Sequence, residues 1–358
     1  MTFDDLCPKS LTQTPFTVKE AFQNVSVSST PPFNDKYAQL WRKIKKGGNA
    51  GNVIGKGFNN CVKLHPDKPS YTLPKTQTGR GFATIAHFDE KRAICINEAK
   101  RLGFFHESYL LIGNYSTQWM RIGNSVPPGL MRAIAINIRY HLFNGKPLTP
   151  YPKSMSYLDI LEATWQDHLK PKDENAPTVI STFAGGGGSS LGYSMAGYKE
   201  LLAVEIDNNA VDTFKLNFPH VPVFHGDIGT LSVEQCMTLA GLSEPGELDV
   251  LDGSPPCQGF SLAGKRQMKD DRNQLFREYV RLLRGLQPKV FIMENVSGMV
   301  KGKMKLIFAE ILRELKASGY EVKAWLLNAK YFYVPQSRER MIFIGVRKDY
   351  WDSVNVPS

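Results

Sequence analysis

The feature that most constrains the fold of this 358-residue chain is a glycine-rich turn between a predicted strand and a predicted helix. Residues 178–183 are a short β-branched run, and residues 184–190 (Ala-Gly-Gly-Gly-Gly-Ser-Ser) follow it before a helical stretch. Because glycine lets the backbone approach a ligand closely, such a corner is typical of nucleotide and cofactor sites. The turn alone does not distinguish NAD, FAD or another adenosine-containing cofactor.

Beyond this turn, short apolar runs alternate with amphipathic stretches. Predicted strands lie at residues 201–207, 248–252, 290–293 and 341–346. Predicted helices between them include residues 274–285 and 304–318. Strands that alternate with helices build a parallel sheet covered on both faces, so the sequence predicts an α/β fold with a doubly wound, mostly parallel sheet.

The first part of the chain has a different charge balance. Residues 1–150 hold 20 Lys and Arg against 9 Asp and Glu, whereas residues 151–358 hold 24 against 25. A basic cluster at residues 41–46 (Trp-Arg-Lys-Ile-Lys-Lys) contributes to this excess. The asymmetry predicts a polyanion-binding segment joined to a near-neutral one. A basic surface that only keeps the protein soluble is the alternative.

Cysteine use and hydropathy limit the class of protein further. The five cysteines are widely scattered and form no CxxC pair, so we expect neither a structural metal nor a disulfide framework. No run of ~18 apolar residues is present, and the start of the chain lacks the pattern of a signal peptide. We therefore expect a soluble protein of the cytoplasm, associated with the nucleoid if it binds DNA.

Three polar positions at the ends of predicted strands suit catalysis and cofactor binding. In residues 254–261 (Ser-Pro-Pro-Cys-Gln-Gly-Phe-Ser), two prolines hold Cys257 rigidly at the sheet edge where ligands bind. Glu294 ends the next predicted strand, so a thiol and a carboxylate would meet in one cleft. Glu205 follows the glycine-rich turn by one strand, where a carboxylate can accept both ribose hydroxyls. The alternatives are an inert buried cysteine and acids that only meet water.

Together these segments resemble the motifs of the cytosine-C5 DNA methyltransferase family, and the resemblance covers nearly the whole chain. The glycine-rich turn resembles the cofactor motif, and the segments around Glu205 and Asp227 resemble those that contact ribose and adenine. One departure is Ser181, where many members carry aspartate. The nucleophile, acid and Gln-x-Arg-x-Arg motifs are similar to residues 255–258, 294–296 and 336–340. The resemblance implies a Rossmann-like fold that binds S-adenosylmethionine as its cofactor. It also implies a small second domain for target recognition.

The motifs stand in circularly permuted order. In most members, a target-recognition region and two final motifs follow the Gln-x-Arg-x-Arg motif, but here the final motifs resemble residues 63–104 and 115–128. A permutation opens the chain in a surface connection, where new ends are tolerated. We expect a small DNA target-recognition domain with the penultimate motif at 1–110, the last motif and its helix at 111–144, a connection created by the permutation at 145–177, and the catalytic domain at 178–358.

The resemblance implies methyl transfer from S-adenosylmethionine to C5 of a cytosine flipped out of duplex DNA. Cys257 would add to C6 of the base, Glu294 would protonate or hydrogen-bond N3, Arg340 would support the carbonyl oxygen, and Arg338 would support the site or a phosphate. The residues implied in cofactor binding are Phe183, Ala184, Gly185, Gly187, Glu205, Ile206, Asp227, Ile228, Pro255, Asn124 and Val126.

The resemblance also implies contacts to duplex DNA. Residues 259–273 are expected to form a mobile loop whose cations meet phosphates. The residues expected to touch DNA are Gln258, Ser261, Lys265, Arg266, Arg42, Lys43, Lys45 and Lys46. We expect that four asparagines can reach base edges, namely Asn49, Asn52, Asn59 and Asn60. A restriction endonuclease that acts on the same site is the other expected partner.

Other functions share parts of this pattern. A tRNA cytosine methyltransferase would use the same chemistry, although the basic first part of the chain fits a DNA enzyme better. A catalytically silent DNA-binding relative would need none of Cys257, Glu294 and Arg340. A dinucleotide oxidoreductase is disfavoured because the Pro-Pro-Cys-Gln turn would have no role in such an enzyme.

Overall fold

The computed structural model describes residues 1–55, 61–79, 82–256, 271–300 and 304–354. Its helices are α1 (Val18–Ala21), α2 (Asp35–Lys43), α3 (Gly51–Ile54), α4 (Ile96–Leu102), α5 (Tyr115–Asn124), α6 (Pro128–Leu142), α7 (Tyr157–Leu169), α8 (Gly188–Met195), α9 (Asn208–Asn217), α10 (Val233–Ala240), α11 (Asp271–Leu286), α12 (Met304–Ala317) and α13 (Lys348–Val354). Short 3-10 helices are Phe3–Leu6, Ile228–Thr230, Ser297–Val300 and Ala329–Tyr331.

The strands divide into a central sheet and several two-residue pairs. The short strands are β1 (Val62–Lys63), β2 (Ser70–Tyr71), β3 (Thr78–Gly79), β4 (Phe82–Ala83), β5 (Ile85–Ala86) and β12 (Gln336–Ser337). The strands of the central sheet are β6 (Thr178–Thr182), β7 (Lys199–Glu205), β8 (Val223–His225), β9 (Val250–Gly253), β10 (Val290–Val296), β11 (Tyr320–Asn328) and β13 (Glu339–Arg347).

The central sheet has the strand order β11-β13-β10-β9-β6-β7-β8. Pairs from β8 across to β10 are parallel, and β13 lies antiparallel between β10 and β11. The expected doubly wound, mostly parallel α/β sheet is therefore confirmed. The chain runs outward from β6 to β8 and then returns to β9 beside β6, which makes a topological switch point between these two strands. Ligands bind at such a point, outside the carboxyl ends of the strands.

Two apolar layers cover the faces of this sheet because successive side chains of a strand point to opposite faces. Val250 belongs to the layer that includes α6, α7 and α8, and Leu251 belongs to the layer that includes α10, α11 and α12. The helix α6 approaches α8 closely, and a Cβ at Gly192 would lie 2.6 Å from Met131 Cβ. The helix α6, from the first part of the chain, thus packs against α8, which follows β6, the first strand of the central sheet along the chain. The helix α7 lies on the segment that joins α6 to β6.

Two carboxyl groups are buried close to β6. Ser190 donates to Glu200 Oε1 at 2.9 Å, and the other oxygen of that carboxylate is buried without a donor among the described residues. Asp252 accepts from the Tyr193 hydroxyl at 3.2 Å. Burial raises the pKa of Glu200 to about 8 and that of Asp252 to about 7. Both carboxyls therefore hold protons in the folded chain at pH values where they are ionised in the unfolded chain.

This difference predicts that stability falls as pH rises. A carboxyl whose folded pKa is raised contributes its full stability below the unfolded pKa, and that contribution is lost as pH rises through the folded pKa. Between about pH 5 and pH 8, Glu200→Gln should become more stable relative to the unchanged chain by up to ~1.4 kcal/mol per pH unit. Urea unfolding at several pH values measures this difference. The exposed Glu244→Gln is the control, and parallel pH curves for all three proteins would contradict the prediction.

In the part of the chain that the structure describes, we find no helix that combines the length and the hydrophobicity of a membrane span.

Candidate active site

The glycine-rich corner lies at the switch point, between the end of β6 and the start of α8. Phe183, Gly185 and Gly187 have φ values of 54°, 57° and 88°, a region that favours glycine. Apart from its chain neighbours, no atom of the described residues lies within 4 Å of a Cβ built on Gly185, so this position faces open space among them. Phe183 is held in the same region although it has a side chain, which is typical of a functional turn.

Glu205 organises the corner from the end of β7. One carboxylate oxygen accepts from the Gly185 N–H at 2.7 Å, and the other accepts from the N–H groups of Ile206 and Asp207 at 2.8 Å each. Two carboxylate oxygens offer about four acceptor positions, so capacity remains for a ligand hydroxyl. Ile206, next to the predicted cofactor corner, is 63% exposed. Such exposure is unusual for a large apolar side chain.

The predicted adenine segment is divided between the surface and the core. Asp227 precedes a 3-10 helix and accepts from the Gly229 N–H at 2.8 Å. Ile228 is buried in the apolar layer with α10 and α11. A contact between Ile228 and a cofactor would therefore be made by its backbone.

Residues from the first part of the chain complete the corner, and the sequence patterns did not identify three of them. The buried Tyr109 hydroxyl donates to the Gly186 carbonyl. A Cβ at Gly187 would lie 2.6 Å from that hydroxyl, and one at Gly188 would overlap Ser125. Arg121 Nη1 lies 3.0 Å from Asp207 Oδ1. The resemblance placed the last motif near the cofactor, but these pairings depend on tertiary packing and leave no periodic signal.

The sequence predicted that Asn124 and Val126 bind the cofactor. Both lie on the side of the corner that is formed by the first part of the chain. Asn124 is exposed at the end of α5, and Val126 is buried just before α6. A Cβ at Gly188 would come within 2.7 Å of the Val126 carbonyl. The segment around Val126 and the start of α8 are therefore in direct contact.

The predicted acid lies at the carboxyl edge of the sheet, on β10. Glu294 Oε1 lies 2.5 Å from Arg340 Nε on the neighbouring β13, and the two side chains are 11% and 13% exposed. The adjacent Asn295 amide donates to the Pro255 carbonyl at 3.1 Å, which ties β10 to the turn that leads toward Cys257. The structure thus brings together a carboxylate, a guanidinium and the start of the predicted nucleophile turn.

Arg338 occupies a different environment from Arg340. It is 2% exposed and donates to the carbonyls of Leu73, Gly123 and Ser125 at 2.9–3.0 Å. Burial lowers the pKa of its guanidinium to about 9, and the nearby charge of Arg340 adds to this effect. The side chain ties the segment around Asn124 to the start of β13, which fits the first of its two expected roles, support of the site, rather than the second, contact with a phosphate.

The Gln-x-Arg-x-Arg segment is also bound to the penultimate block. The strands β2 and β12 pair in parallel. The Gln336 side chain accepts from the Leu73 N–H and donates to the Leu102 carbonyl, both at 3.0 Å. Segments far apart in sequence therefore form one wall of the site.

The basic segment forms the end of α2 and the turn after it. Trp41 packs in a small separate core with Tyr37, Leu40 and Ile44. Lys63 Nζ lies 3.7 Å from the centroid of the Trp41 ring, which is close enough for a cation–π contact. The cations at positions 42, 43, 45 and 46 are exposed, and Lys46 forms an ion pair with Asp89.

The asparagines after this segment are engaged locally. Asn49 and Asn52 accept from each other's backbone N–H groups at 2.9 and 3.2 Å. Their side-chain oxygens therefore cap the turn, which leaves the amide nitrogens as the groups for an external contact. Asn59 and Asn60 lie outside the described residues.

Several predicted residues also lie outside the described part of the chain, namely Cys257, Gln258, Ser261, Lys265 and Arg266. Among the residues that are described, no group of three or more His, Cys, Asp or Glu side chains is arranged to hold a metal ion.

Comparison with known proteins gives a family for this arrangement. A model of the C-5 cytosine-specific DNA methylase family matches residues 5–139 and 177–358. The Type II methyltransferase M1.HphI of Haemophilus parahaemolyticus is 45% identical over 175 residues, which cover 48% of this chain and 46% of that protein. The Type II methyltransferase M.AquIA of Picosynechococcus sp. is 42% identical over 178 residues, or 47% of this chain and 71% of that protein.

Among solved structures, that of a DNA modification methyltransferase encoded within an E. coli prophage is 34% identical, with a TM-score of 0.43. The match covers 51% of each chain. The chain spans about half the length of M1.HphI and of this prophage protein.

Proposed function

The chain belongs to the C-5 cytosine-specific DNA methylase family, and on this premise we propose that it transfers a methyl group from S-adenosylmethionine to C5 of cytosine in duplex DNA. The observation that carries the proposal is the Glu294–Arg340 pair, which lies at the carboxyl edge of the sheet. Asn295 joins this pair to the turn before Cys257, and the glycine-rich corner stands at the adjacent switch point. A site of this composition combines a nucleophile, an acid and a cofactor corner.

The residues of the corner fit S-adenosylmethionine. The Glu205 carboxylate would accept the ribose hydroxyls, the exposed Ile206 would pack on the adenine face, and Asp227 would accept from the adenine amine. The open face of Gly185 lets the backbone approach the cofactor. Further contacts would come from Phe183, Ala184, Gly187, Ile228, Pro255, Asn124 and Val126. When bound, this cofactor supplies an electrophilic methyl group.

In the proposed mechanism, the protein turns C5 of cytosine into a nucleophile. The Cys257 thiolate forms a bond to C6, and the electron pair of the C5–C6 double bond moves toward C5. Glu294 gives a proton or a hydrogen bond to N3 as charge develops, and Arg340 steadies both the carboxylate and the base's carbonyl oxygen. The methyl group would bond to C5 as its bond to sulfur breaks, and the electron pair of that bond would stay on the sulfur of the product, S-adenosylhomocysteine. A base acting through water would then remove the C5 proton. The double bond re-forms, the Cys257 thiolate leaves, and N3 returns its proton.

Tyr109 is expected to support cofactor binding by fixing the Gly186 carbonyl. Tyr109→Phe removes one hydrogen bond worth about 1 kcal/mol, so affinity for S-adenosylmethionine should fall about fivefold at an unchanged kcat. Tyr198→Phe is the matched control, because this buried hydroxyl donates to the Ala135 carbonyl at 2.9 Å, away from the corner. Calorimetric titration measures both variants, and equal affinities would contradict the role of Tyr109.

The proposed DNA surface uses the exposed cations of the first part of the chain. Phosphate contacts from residues 42, 43, 45 and 46 would set affinity and its salt dependence more than base choice. We propose that residues 1–110 hold the target-recognition part and residues 178–358 the catalytic part. The cations predicted at 265 and 266 would contact the same duplex. Extrusion of the target base is required because C5 is not accessible in a stacked duplex.

We further propose that methylation protects a DNA site from a cognate restriction endonuclease. The relatives that support this are named Type II methyltransferases. The family match falls into two segments separated by residues 140–176. We propose that these segments stand in circularly permuted order.

The experiment that tests the proposed function is methyl transfer from labelled S-adenosylmethionine to mixed-sequence duplex DNA and, separately, to tRNA. We expect label in DNA, recovered as 5-methylcytosine after digestion. Label only in tRNA would identify an RNA cytosine methyltransferase instead. Cofactor binding without label in either substrate would indicate a catalytically silent relative.

A further inference from the structure

A second cleft lies at the opposite edge of the sheet from the candidate active site. Its volume is about 630 Å³, within the range of small-molecule pockets. One wall is the second half of α6, and a second is the end of α8 at residues 195–197. The helix α8 begins at the cofactor corner and ends at this cleft, so its eight residues, about 12 Å long, separate the two sites.

The remaining walls belong to the segment that joins α6 to β6. They are residues 144–149 and 167–173. The family model leaves residues 140–176 unmatched, so the family match assigns these walls no role.

The lining is strongly cationic. Two acids, Asp167 and Asp173, face five cations, which are Arg132, Arg139, Lys146, Lys170 and Lys172. An excess of this size in a concave site concentrates anions. Lys170 pairs with Asp167 at 2.7 Å, but the other cations are less completely neutralised.

Both arginines of the cleft have spare hydrogen-bonding capacity. Arg132 donates to the Tyr151 hydroxyl at 3.2 Å and lies 3.5 Å from Asp167, and Arg139 donates to the Ala196 carbonyl at 2.9 Å and lies 3.9 Å from Asp173. Their Nε atoms are buried and have no acceptor among the described residues. A guanidinium carries five N–H donors, so donors on the Nη atoms remain for an anion in the cleft.

Lys172 and Lys146 complete the cationic lining. Lys172 Nζ donates to the Asp167 and His168 carbonyls at the end of α7, which leaves one of its three N–H bonds unused. Burial lowers the pKa of this amine to about 8, and the charges of Lys170 and Arg139 act in the same direction. Lys146 is exposed at the rim and has no hydrogen bond or ion pair with any other described residue.

We propose that this cleft binds a phosphate-bearing anion of about nucleotide size, at a site separate from methyl transfer. The phosphate groups would lie among Arg132, Arg139 and Lys172, with Lys146 closing the rim. Phosphate suits these donors because guanidinium groups bind it through parallel hydrogen bonds.

The test is calorimetric titration of the full chain with pyrophosphate and tripolyphosphate at low salt, without S-adenosylmethionine. Lys146→Glu with Lys172→Gln should weaken binding at least about tenfold, since two cationic contacts are lost. Lys316→Glu with Lys305→Gln, both exposed on α12, makes the same charge change elsewhere and should alter binding less than about twofold. Thermal melting of each variant verifies that the fold is intact.

A short DNA duplex forms the second arm, because a phosphodiester backbone offers the same chemistry. Binding of either phosphate compound that the double variant loses supports a small-molecule site. Duplex binding that the double variant loses, without any pyrophosphate binding, supports the same cleft with nucleic acid as the source of phosphate. Equal binding of the phosphate compounds by the double variant would overturn the inference. So would failure of both compounds to bind the unchanged chain, together with duplex binding that is absent or that the double variant keeps. The result is independent of methyl transfer, because no cofactor is present.

Discussion

Cys257→Ala is expected to abolish methyl transfer, with a loss on the order of 10⁴-fold or more. Without a thiolate at C6, C5 of cytosine has too little electron density to attack a methyl group, and no other group in the proposed site replaces the covalent step. Binding of S-adenosylmethionine should persist, because the cofactor corner is built by Glu205 and the residues around it. Tritium transfer and calorimetric titration measure the two properties separately.

Cys7→Ala provides the matched control for this substitution. Burial raises the pKa of the Cys7 thiol to about 11, so this cysteine is protonated at neutral pH and unreactive. Its removal should leave methyl transfer within about twofold. Residual activity of Cys257→Ala above a few per cent would show that Cys257 is not the nucleophile.

Glu294→Gln is expected to lower kcat by about 10²–10⁴-fold. Glutamine has nearly the same shape but cannot supply a proton to N3, and it leaves Arg340 without its charge partner. Because the lost interaction develops in the transition state, kcat should fall more than the KM for DNA or cofactor rises. Single-turnover rates with saturating DNA measure the chemical step directly.

Glu314→Gln breaks a carboxylate–arginine ion pair away from the candidate site. Glu314 on α12 lies 3.0 Å from Arg284 on α11, and its side chain is 44% exposed. This control should change stability slightly and leave kcat unchanged. A kcat of Glu294→Gln within tenfold of the unchanged enzyme would remove Glu294 from the catalytic mechanism.

The sequence predicted most of the central sheet because its strands carry strong local signals. The predicted strand at 290–293 is the core of β10, and the helix predicted at 304–318 is α12. The long strand β11 was missed because it lies at the sheet edge, where partial burial weakens the apolar pattern. Local periodicity therefore identified the buried strands and missed the two edge strands, β11 and β8.

The chemistry of the candidate site was only partly predictable for a related reason. Glu294 and Arg340 follow from motifs at strand ends, and the structure places them together. The burial of Arg338 depends on hydrogen bonds to residues more than 200 positions away, such as Leu73. The contact of Tyr109 with the cofactor corner also spans a long separation, 77 positions. No local sequence pattern indicates contacts between residues so far apart. From the sequence alone, Arg338 is therefore interpreted only as support for the site or for a phosphate.

The most direct test of the account is covalent trapping on duplex DNA that carries 5-fluorocytosine in place of cytosine. Fluorine at C5 cannot leave as a proton does, so the reaction should stop after methyl transfer with Cys257 still bonded to C6. We predict a protein–DNA complex that survives denaturation, forms only when S-adenosylmethionine is present, and is absent with Cys257→Ala. Methylation of ordinary duplex DNA without any trapped complex, or trapping that persists in Cys257→Ala, would contradict the proposed covalent mechanism.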